Sequence, residues 1–130
     1  MKWKNGDKHF IVLRDQPEGH ETNWQGNISR RWMANVACYD NGGPEAMLVD
    51  EGRKFWRCVR EIAEELPNGP SGHILMVKRA GERQDTTWTI MPKEVLEGAH
   101  KKDLDGLPMI DKKPFIDKDG DWDFPAKDGD

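Results

Sequence analysis

Eight side chains in this sequence have the chemistry needed to bind a chain of phosphates that carries flat bases. Arginine and lysine pair with phosphate oxygens, and a base stacked on an aromatic ring contributes about 1–3 kcal/mol. The cationic and aromatic residues that we predict to line such a groove are Trp24, Arg30, Arg31, Tyr39, Lys78, Arg79, Arg83 and Trp88. Binding of this kind needs no sequence preference, because every base has a flat face.

Residue patterns that support catalysis or metal binding are absent from the sequence. It contains no G-x-x-x-x-G-K-[ST] phosphate loop, no H-E-x-x-H and no G-x-S-x-G. Cys38 and Cys58 lie in separate apolar segments, which predicts two free thiols and no structural zinc. Residues 117–121 match the start of a calcium loop, but Trp122 stands where that loop requires glycine. We therefore expect neither an enzyme nor a bound metal or cofactor.

Alternation of apolar and polar residues predicts five β-strands that position the eight side chains. The strands are expected at residues 9–14, 27–39, 45–49, 72–79 and 86–91. One face of the longest strand is predicted to join the core and carries Trp32, Ala34, Val36 and Cys38. The other face is predicted to be a surface and carries Arg31, Met33, Asn35, Ala37 and Tyr39.

A change of period predicts one amphipathic helix over residues 51–66. The apolar residues spaced by four, three and four positions are Phe55, Val59, Ile62 and Leu66. Asp50 is the expected N-cap, and the Pro-Asn-Gly after the helix ends it.

The order of elements is therefore three strands, one helix and two strands. This order is typical of a mainly β fold, a five-stranded OB-type barrel with the helix between the third and fourth strands. An SH3-like barrel with an insertion and an open α+β sheet fit the same order.

Charge divides the chain into a body and a tail. The whole chain has a formal net charge of −4. Residues 103–130 hold nine Asp and four Lys, a net charge of −5, so residues 1–102 carry +1. We predict an OB-like nucleic-acid-binding domain over residues 1–102 and an extended or disordered acidic tail over residues 103–130.

Three aromatic residues in the acidic tail leave two interpretations open, a segment that only increases solubility and a segment that binds a partner. Phe115, Trp122 and Phe124 are isolated among acidic residues, a pattern that fits a short docking segment for another protein or a pseudo-substrate for a basic groove. Because the tail holds no predicted strand or helix, we expect its deletion to leave the melting temperature unchanged and to raise affinity for nucleic acid at low salt.

Four segments between residues 8 and 92 occur in a characteristic order. They are HFIVLRDQPEG, RRWMANVACYD, RKFWRCVREIAEEL and GHILMVKRAGERQDTTWTIMP. The series comprises an apolar strand ending in Arg, a strand reaching an aromatic-Asp turn, a helix, and a Lys-Arg-x-Gly loop before a Thr-aromatic-Thr strand. It resembles the bacteriophage single-stranded-DNA-binding proteins of the OB-fold, helix-destabilising type. The acidic tail agrees with this resemblance, whereas the Cys and His zinc site of some members has no counterpart here.

The resemblance implies a protein that coats unwound DNA during phage-type replication or recombination in the host cytoplasm. Its acidic tail would dock replication or recombination proteins. The alternative is a small phage-type accessory or inhibitory module that binds a host or replisome protein. No apolar run approaches the roughly 20 residues of a membrane span, and the N-terminus lacks the apolar stretch of a signal peptide, so we expect a cytoplasmic protein without a membrane partner. The oligomeric state stays open, with a homodimer as one alternative.

Overall fold

The computed structural model describes residues 1–66, 69–82, 85–116 and 118–119. Six antiparallel strands and a two-residue seventh form one sheet: β1 (Lys8–Leu13), β2 (Glu18–Trp24), β3 (Asn27–Cys38), β4 (Glu45–Glu51), β5 (His73–Ala80), β6 (Thr87–Val95) and β7 (Lys118–Asp119). Helix α1 (Arg53–Glu65) lies between β4 and β5, and helix α2 (Gly98–Asp105) follows β6. The prediction of a mainly β fold is confirmed, and the five predicted strands and the predicted helix are present.

The sheet has the order β6-β5-β1-β3-β2-β7, and β4 pairs with β3. Residues 36–38 of β3 pair with both β1 and β4, so these two strands flank the end of β3. Strand β2 pairs with the beginning of β3 through a tight turn in which Gln25 (φ 50°) and Gly26 (φ 86°) both have left-handed backbone. No pairing joins β4 to β6 among the described residues, so the sheet is not closed into a barrel.

One face of the sheet packs against α1. Phe55, Trp56 and Val59 of the helix are buried against Trp32 and Leu75, and the Trp56 indole N–H donates to the Trp32 carbonyl at 2.9 Å. Burial of these side chains supplies the hydrophobic driving force that holds the helix on the sheet. The predicted core face of β3 is therefore confirmed.

The predicted N-cap of α1 is wrong. The N-cap residue is Gly52, which offers no side-chain oxygen, and no side chain caps the helix. Asp50 instead belongs to β4, where its carboxylate lies 2.7 Å from His20 Nε2 and 3.4 Å from Arg31 Nε. The strand extends two residues beyond its predicted end, because pairing with β3 continues through Glu51.

The N-terminal segment spans the gap between β4 and the other half of the sheet. The Met1 ammonium donates to the Leu48 carbonyl of β4 at 2.8 Å, and Asn5 forms an isolated bridge with Arg79 of β5. Between them, Trp3 packs on Phe55 of α1. This segment therefore contacts elements that do not pair with each other.

The opposite face of the sheet is covered by residues 104–116, which we call the strap. Leu104 and Leu107 pack on a second buried cluster that includes Val12, Ala37 and Ile74. Three main-chain carbonyls of the strap, those of residues 104, 107 and 108, accept hydrogen bonds of 2.6–3.1 Å from the Arg14 guanidinium. The strap thus forms a second layer on the sheet.

An amide side chain fixes the middle of the strap. Asn35 is 2% exposed; its Nδ2 donates to the Ile110 carbonyl at 3.1 Å and its Oδ1 accepts from the Ile110 N–H at 2.8 Å. Farther along, Lys112 pairs with Asp15 at 2.9 Å. Asp15 also accepts from Asn35, so the contacts form one network.

Two predictions about this side of the molecule need correction. The second face of β3 is not a surface, because Met33, Asn35 and Ala37 are buried under the strap. The boundary that we predicted between residues 102 and 103 falls inside α2, so residues 103–105 are helical, and residues 104–116 pack on the sheet. Hydrogen bonds from Arg14 and Asn35 hold this segment against the sheet, whereas its composition predicted no such contacts. Residues 117 and 120–130 of the predicted tail lie outside the described residues.

The helices within the described ranges are too short or too polar to span a bilayer.

Candidate nucleic-acid interface

A cleft of about 610 Å³ opens where the N-terminal segment, the end of β4, the start of α1 and the β5–β6 hairpin meet. Its walls carry two indoles and four cationic side chains, which are Trp3, Trp88, Lys2, Arg53, Lys54 and Arg79. We call it the Trp3–Trp88 cleft. Glu51 is the one carboxylate among the described residues that line it.

The aromatic wall of the cleft is built from three packed rings. The centroids of Trp3 and Trp88 are 5.4 Å apart in an edge-to-face arrangement, and both rings contact Phe55, at 5.5 Å and 5.0 Å. Edge-to-face pairs of this kind fix ring orientation. Phe55 is buried, whereas the two indoles are half-buried, so each retains surface that faces the cleft.

The first turn of α1 brings two cations to the positive end of the helix dipole. Arg53 and Lys54 occupy positions where acidic residues are the favourable choice, and no acidic residue lies in that turn. The Arg53 Nε atom is buried and has no hydrogen-bond partner among the described residues. Uncapped N–H groups and two adjacent cations give this wall a local excess of positive charge.

Arg79 comes from the end of β5, close to the turn into β6. Its Nη2 lies 3.5 Å from Thr86 Oγ1 across that connection. Gly81 has a left-handed φ of 84°, and a Cβ there would lie 2.3 Å from the Asp85 carbonyl oxygen. Only glycine permits this close turn, which holds Arg79 and Trp88 side by side in a paired register.

Glu51 sits between the aromatic and cationic walls. Its Oε2 accepts a 2.8 Å hydrogen bond from the Trp3 indole N–H, and its Oε1 lies 3.9 Å from Arg31 Nη2. Burial raises the pKa of Glu51 above its ordinary value, although Arg31 and the Trp3 hydrogen bond act in the opposite direction. The cleft therefore contains an acid that gains a proton more readily than an exposed glutamate.

Arg31 is held by a main-chain carbonyl as well as by the carboxylates of Asp50 and Glu51. Its Nη2 donates to the Asp50 carbonyl at 2.6 Å, which fixes the guanidinium beside the end of β4. Arg30, the preceding residue, is exposed on the β2–β3 hairpin.

The structure brings three of the eight predicted residues together around Glu51 and the cleft, namely Arg31, Arg79 and Trp88. Alternation along β5 places Lys78 on the other face of the sheet from Arg79. Tyr39 is also remote, because its ring packs edge-on against His100 of α2, with centroids 6.2 Å apart. The Trp24 side chain and Arg83 lie outside what the structure describes.

Of the three predicted docking residues of the tail, the structure describes one. Phe115 is 59% exposed at the end of the strap, beside a recess lined by Met33, Met47 and Ile110. Trp122 and Phe124 lie outside the described residues.

Sequence reasoning missed Lys2, Trp3, Arg53 and Lys54. The sequence Lys-Trp-Lys at residues 2–4 was a usable signal, because it places an indole between two cations, the combination that binding of single strands requires. Two cations in the first turn of a predicted helix were a second signal, because that position disfavours positive charge.

The two cysteines are free and far from activated. Burial raises the pKa of the Cys38 thiol to about 11, and it raises that of Cys58 as well. We expect the native protein at pH 8 to react slowly with a maleimide, because the thiolate is the reactive form. In denaturant, both thiols should react rapidly. Rapid native labelling of Cys38, located by peptide mass spectrometry, would contradict its buried position.

In the described part of the chain, no three His, Cys, Asp or Glu side chains are arranged to hold a metal ion.

No protein-family model, no curated protein and no solved structure matches this chain, so its function has to be argued from the cleft and the fold.

Proposed function

We propose that this protein binds single-stranded DNA, and that the Trp3–Trp88 cleft is the centre of the binding surface. The observation that carries the proposal is the convergence of two half-buried indoles with four cationic side chains in one cleft. Stacking on Trp3 or Trp88 requires an unpaired base, because a duplex buries both faces of its bases. Single strands therefore fit this surface better than duplexes.

The charge distribution supports a phosphate ligand although the whole chain is acidic. Lys2, Arg53, Lys54 and Arg79 line the cleft with only Glu51 opposing them among the described residues. Such a local excess of positive charge attracts phosphates and releases their counterions, so binding of this kind weakens as salt is added.

The strand order gives separate support for an OB-type arrangement. Without β2 and β7, the order is β6-β5-β1-β3-β4, and α1 connects the third to the fourth of these five strands along the chain. An OB-fold is a partly open barrel whose face and loops bind oligonucleotides. The opening between β4 and β6 coincides with the cleft, which Glu51 and Trp88 line from these two strands. The role that we propose is coating of unwound DNA during replication or recombination.

A second candidate function is docking of another protein by the C-terminal segment. The exposed Phe115 beside its apolar recess favours this candidate. The two functions are compatible, because the recess and the Trp3–Trp88 cleft have different walls apart from Met1.

Titration of tryptophan fluorescence with oligo(dT) at low salt tests the proposed function. We expect saturable quenching that reverses with salt, and weaker competition by duplex of the same length. Arg79→Gln should weaken binding about fivefold, since one close charge pair in water contributes about 1 kcal/mol. It should also flatten the log–log salt dependence by about 0.7.

Lys101→Gln is the matched control, because it removes one positive charge from α2 outside the cleft. It should leave both the affinity and the salt dependence nearly unchanged. The proposal is wrong if the wild-type protein shows no salt-sensitive quenching, or if the two variants weaken binding equally.

A further inference from the structure

Glu51 occupies a position that opposes the proposed ligand. Among the described lining residues of the Trp3–Trp88 cleft it is the one negative group, and its side chain is 21% exposed. Its two oxygens engage the Trp3 indole N–H and the Arg31 guanidinium, at 2.8 Å and 3.9 Å. A phosphate entering the cleft would approach the cations that line it beside this carboxylate, which are Lys2, Arg53, Lys54 and Arg79.

We propose that Glu51 is an internal counter-anion of the nucleic-acid site, which lowers affinity for phosphate until it is neutralised by a proton. This inference rests on the proposed function and concerns its regulation. The carboxylate has two separable effects: it accepts a hydrogen bond that orients Trp3, and its charge repels phosphate. Glutamine keeps one oxygen that can accept from the indole, and it loses the charge together with the second oxygen, which faces Arg31.

The surroundings of Glu51 determine how its charge responds to pH. Arg31 of β3 and Arg79 of β5 act on Glu51 as cations, and Asp50 of its own strand acts on it as an anion. Arg53 and Lys54 of α1 and Lys2 of the N-terminal segment line the same cleft. Burial raises its pKa, and an arriving phosphate would raise it further, because a second negative charge favours the protonated form. Affinity for DNA should therefore rise as the pH falls towards the pKa of Glu51.

The test compares the wild-type protein with Glu51→Gln and with Glu45→Gln. Glu45 lies exposed at the opposite end of β4, so the control makes the same charge change on the same strand, away from the cleft. Oligo(dT) is the probe, because thymine has no group that titrates between pH 5 and 8. At pH 7.5 and low salt, Glu51→Gln should bind about threefold more tightly, as expected for one charge removed about 6 Å from a phosphate in water. Glu45→Gln should change affinity less than twofold.

The pH dependence of the same variants gives a second readout. The advantage of Glu51→Gln over the wild type should shrink between pH 7.5 and pH 5, because protonation neutralises Glu51 in the wild type. The melting temperature of Glu51→Gln at pH 7.5 should equal or exceed that of the wild type. A carboxyl whose pKa is raised in the folded state stabilises the protein only while it is protonated, and this contribution is lost as the pH rises through that pKa.

Each outcome decides between the two proposals. Wild-type binding together with equal affinities of Glu51→Gln and Glu45→Gln would overturn the role of Glu51 alone. Weaker binding by Glu51→Gln with an unchanged melting temperature would also overturn it, because the charge would then be needed. If Glu51→Gln does not fold, a wild-type affinity that stays constant from pH 7.5 to pH 5 overturns the inference. Absence of wild-type binding overturns the proposed function and this inference with it.

Discussion

Deletion of residues 103–130 is expected to lower the melting temperature by about 15 °C. The deletion removes the strap, so the buried Asn35 side chain loses both hydrogen bonds to Ile110, and Arg14 loses three carbonyl partners. It also exposes part of the cluster that Leu104 and Leu107 cover. Composition alone led to the opposite expectation, an unchanged melting temperature.

The size of this effect follows from the contacts that the strap no longer makes. Because water replaces the strap around Asn35 and Arg14, their lost hydrogen bonds together cost about 2 kcal/mol. Loss of the apolar contacts of Leu104 and Leu107 adds a similar amount. A total near 4 kcal/mol is a large fraction of the roughly 5–15 kcal/mol that stabilises a domain. For a domain of this size, each kcal/mol shifts the melting temperature by about 4 °C.

A shorter deletion provides the control. A chain ending at residue 119 keeps the strap and β7, and it should melt within a few degrees of the full-length protein. Its net charge is −1, because residues 120–130 hold four Asp and one Lys. The predicted gain in low-salt affinity for DNA can therefore be measured on this variant without loss of stability. Equal melting temperatures of the chains ending at residues 102 and 119 would show that the strap contributes nothing.

The double substitution Arg53→Glu/Lys54→Glu is expected to weaken oligo(dT) binding by at least 30-fold at low salt. Loss of two close charge pairs in water is about 2 kcal/mol, which corresponds to 30-fold, and repulsion by the new carboxylates adds to it. Acidic residues in the first turn interact favourably with the helix dipole, so the melting temperature should stay within a few degrees of the wild type. The double substitution should thus lower the affinity for oligo(dT) without lowering the thermal stability of the protein.

Lys101→Glu/Lys102→Glu is the matched control for this prediction. It makes the same charge change on exposed residues of α2, on the covered side of the sheet. Fluorescence titrations and thermal melts of both double variants should show a large loss of affinity only at α1. A similar loss for both would mean that net charge, and not the cleft, controls binding.

Strong periodicity made most of the fold predictable. Strands β1, β3, β4, β5 and β6 and helix α1 lie within a few residues of their predicted positions, because each buries an apolar face. Strand β2 was missed because its sequence, EGHETNW, is polar and its two-residue turn is Gln-Gly, a weaker hairpin signal than Asn-Gly. It pairs with β3 throughout its length, and among its described side chains the deeply buried one is His20, which is paired with Asp50.

The strap was unpredictable for a different reason. Its stability comes from side chains of the body, Arg14 and Asn35, that bind main-chain atoms more than 70 residues away in sequence. Local composition cannot report such contacts. The same holds for the candidate site: Arg31, Arg79 and Trp88 were recognisable by type, but Trp3 joins them only because the N-terminal segment crosses from β4 to β5.

The hydrogen bonds that hold the strap have a consequence for how related sequences would diverge. Arg14 and Asn35 bind carbonyl and N–H groups at residues 104, 107, 108 and 110, and every residue type supplies such a carbonyl. These hydrogen bonds therefore place no demand on the side chains of the strap, provided that position 110 is not proline, and only the packing of Leu104 and Leu107 keeps those two positions apolar. The arginine and the asparagine, in contrast, cannot be replaced without loss of the bonds. In a collection of diverged homologues, we expect invariant residues at positions 14 and 35 opposite a segment whose own sequence is hard to align.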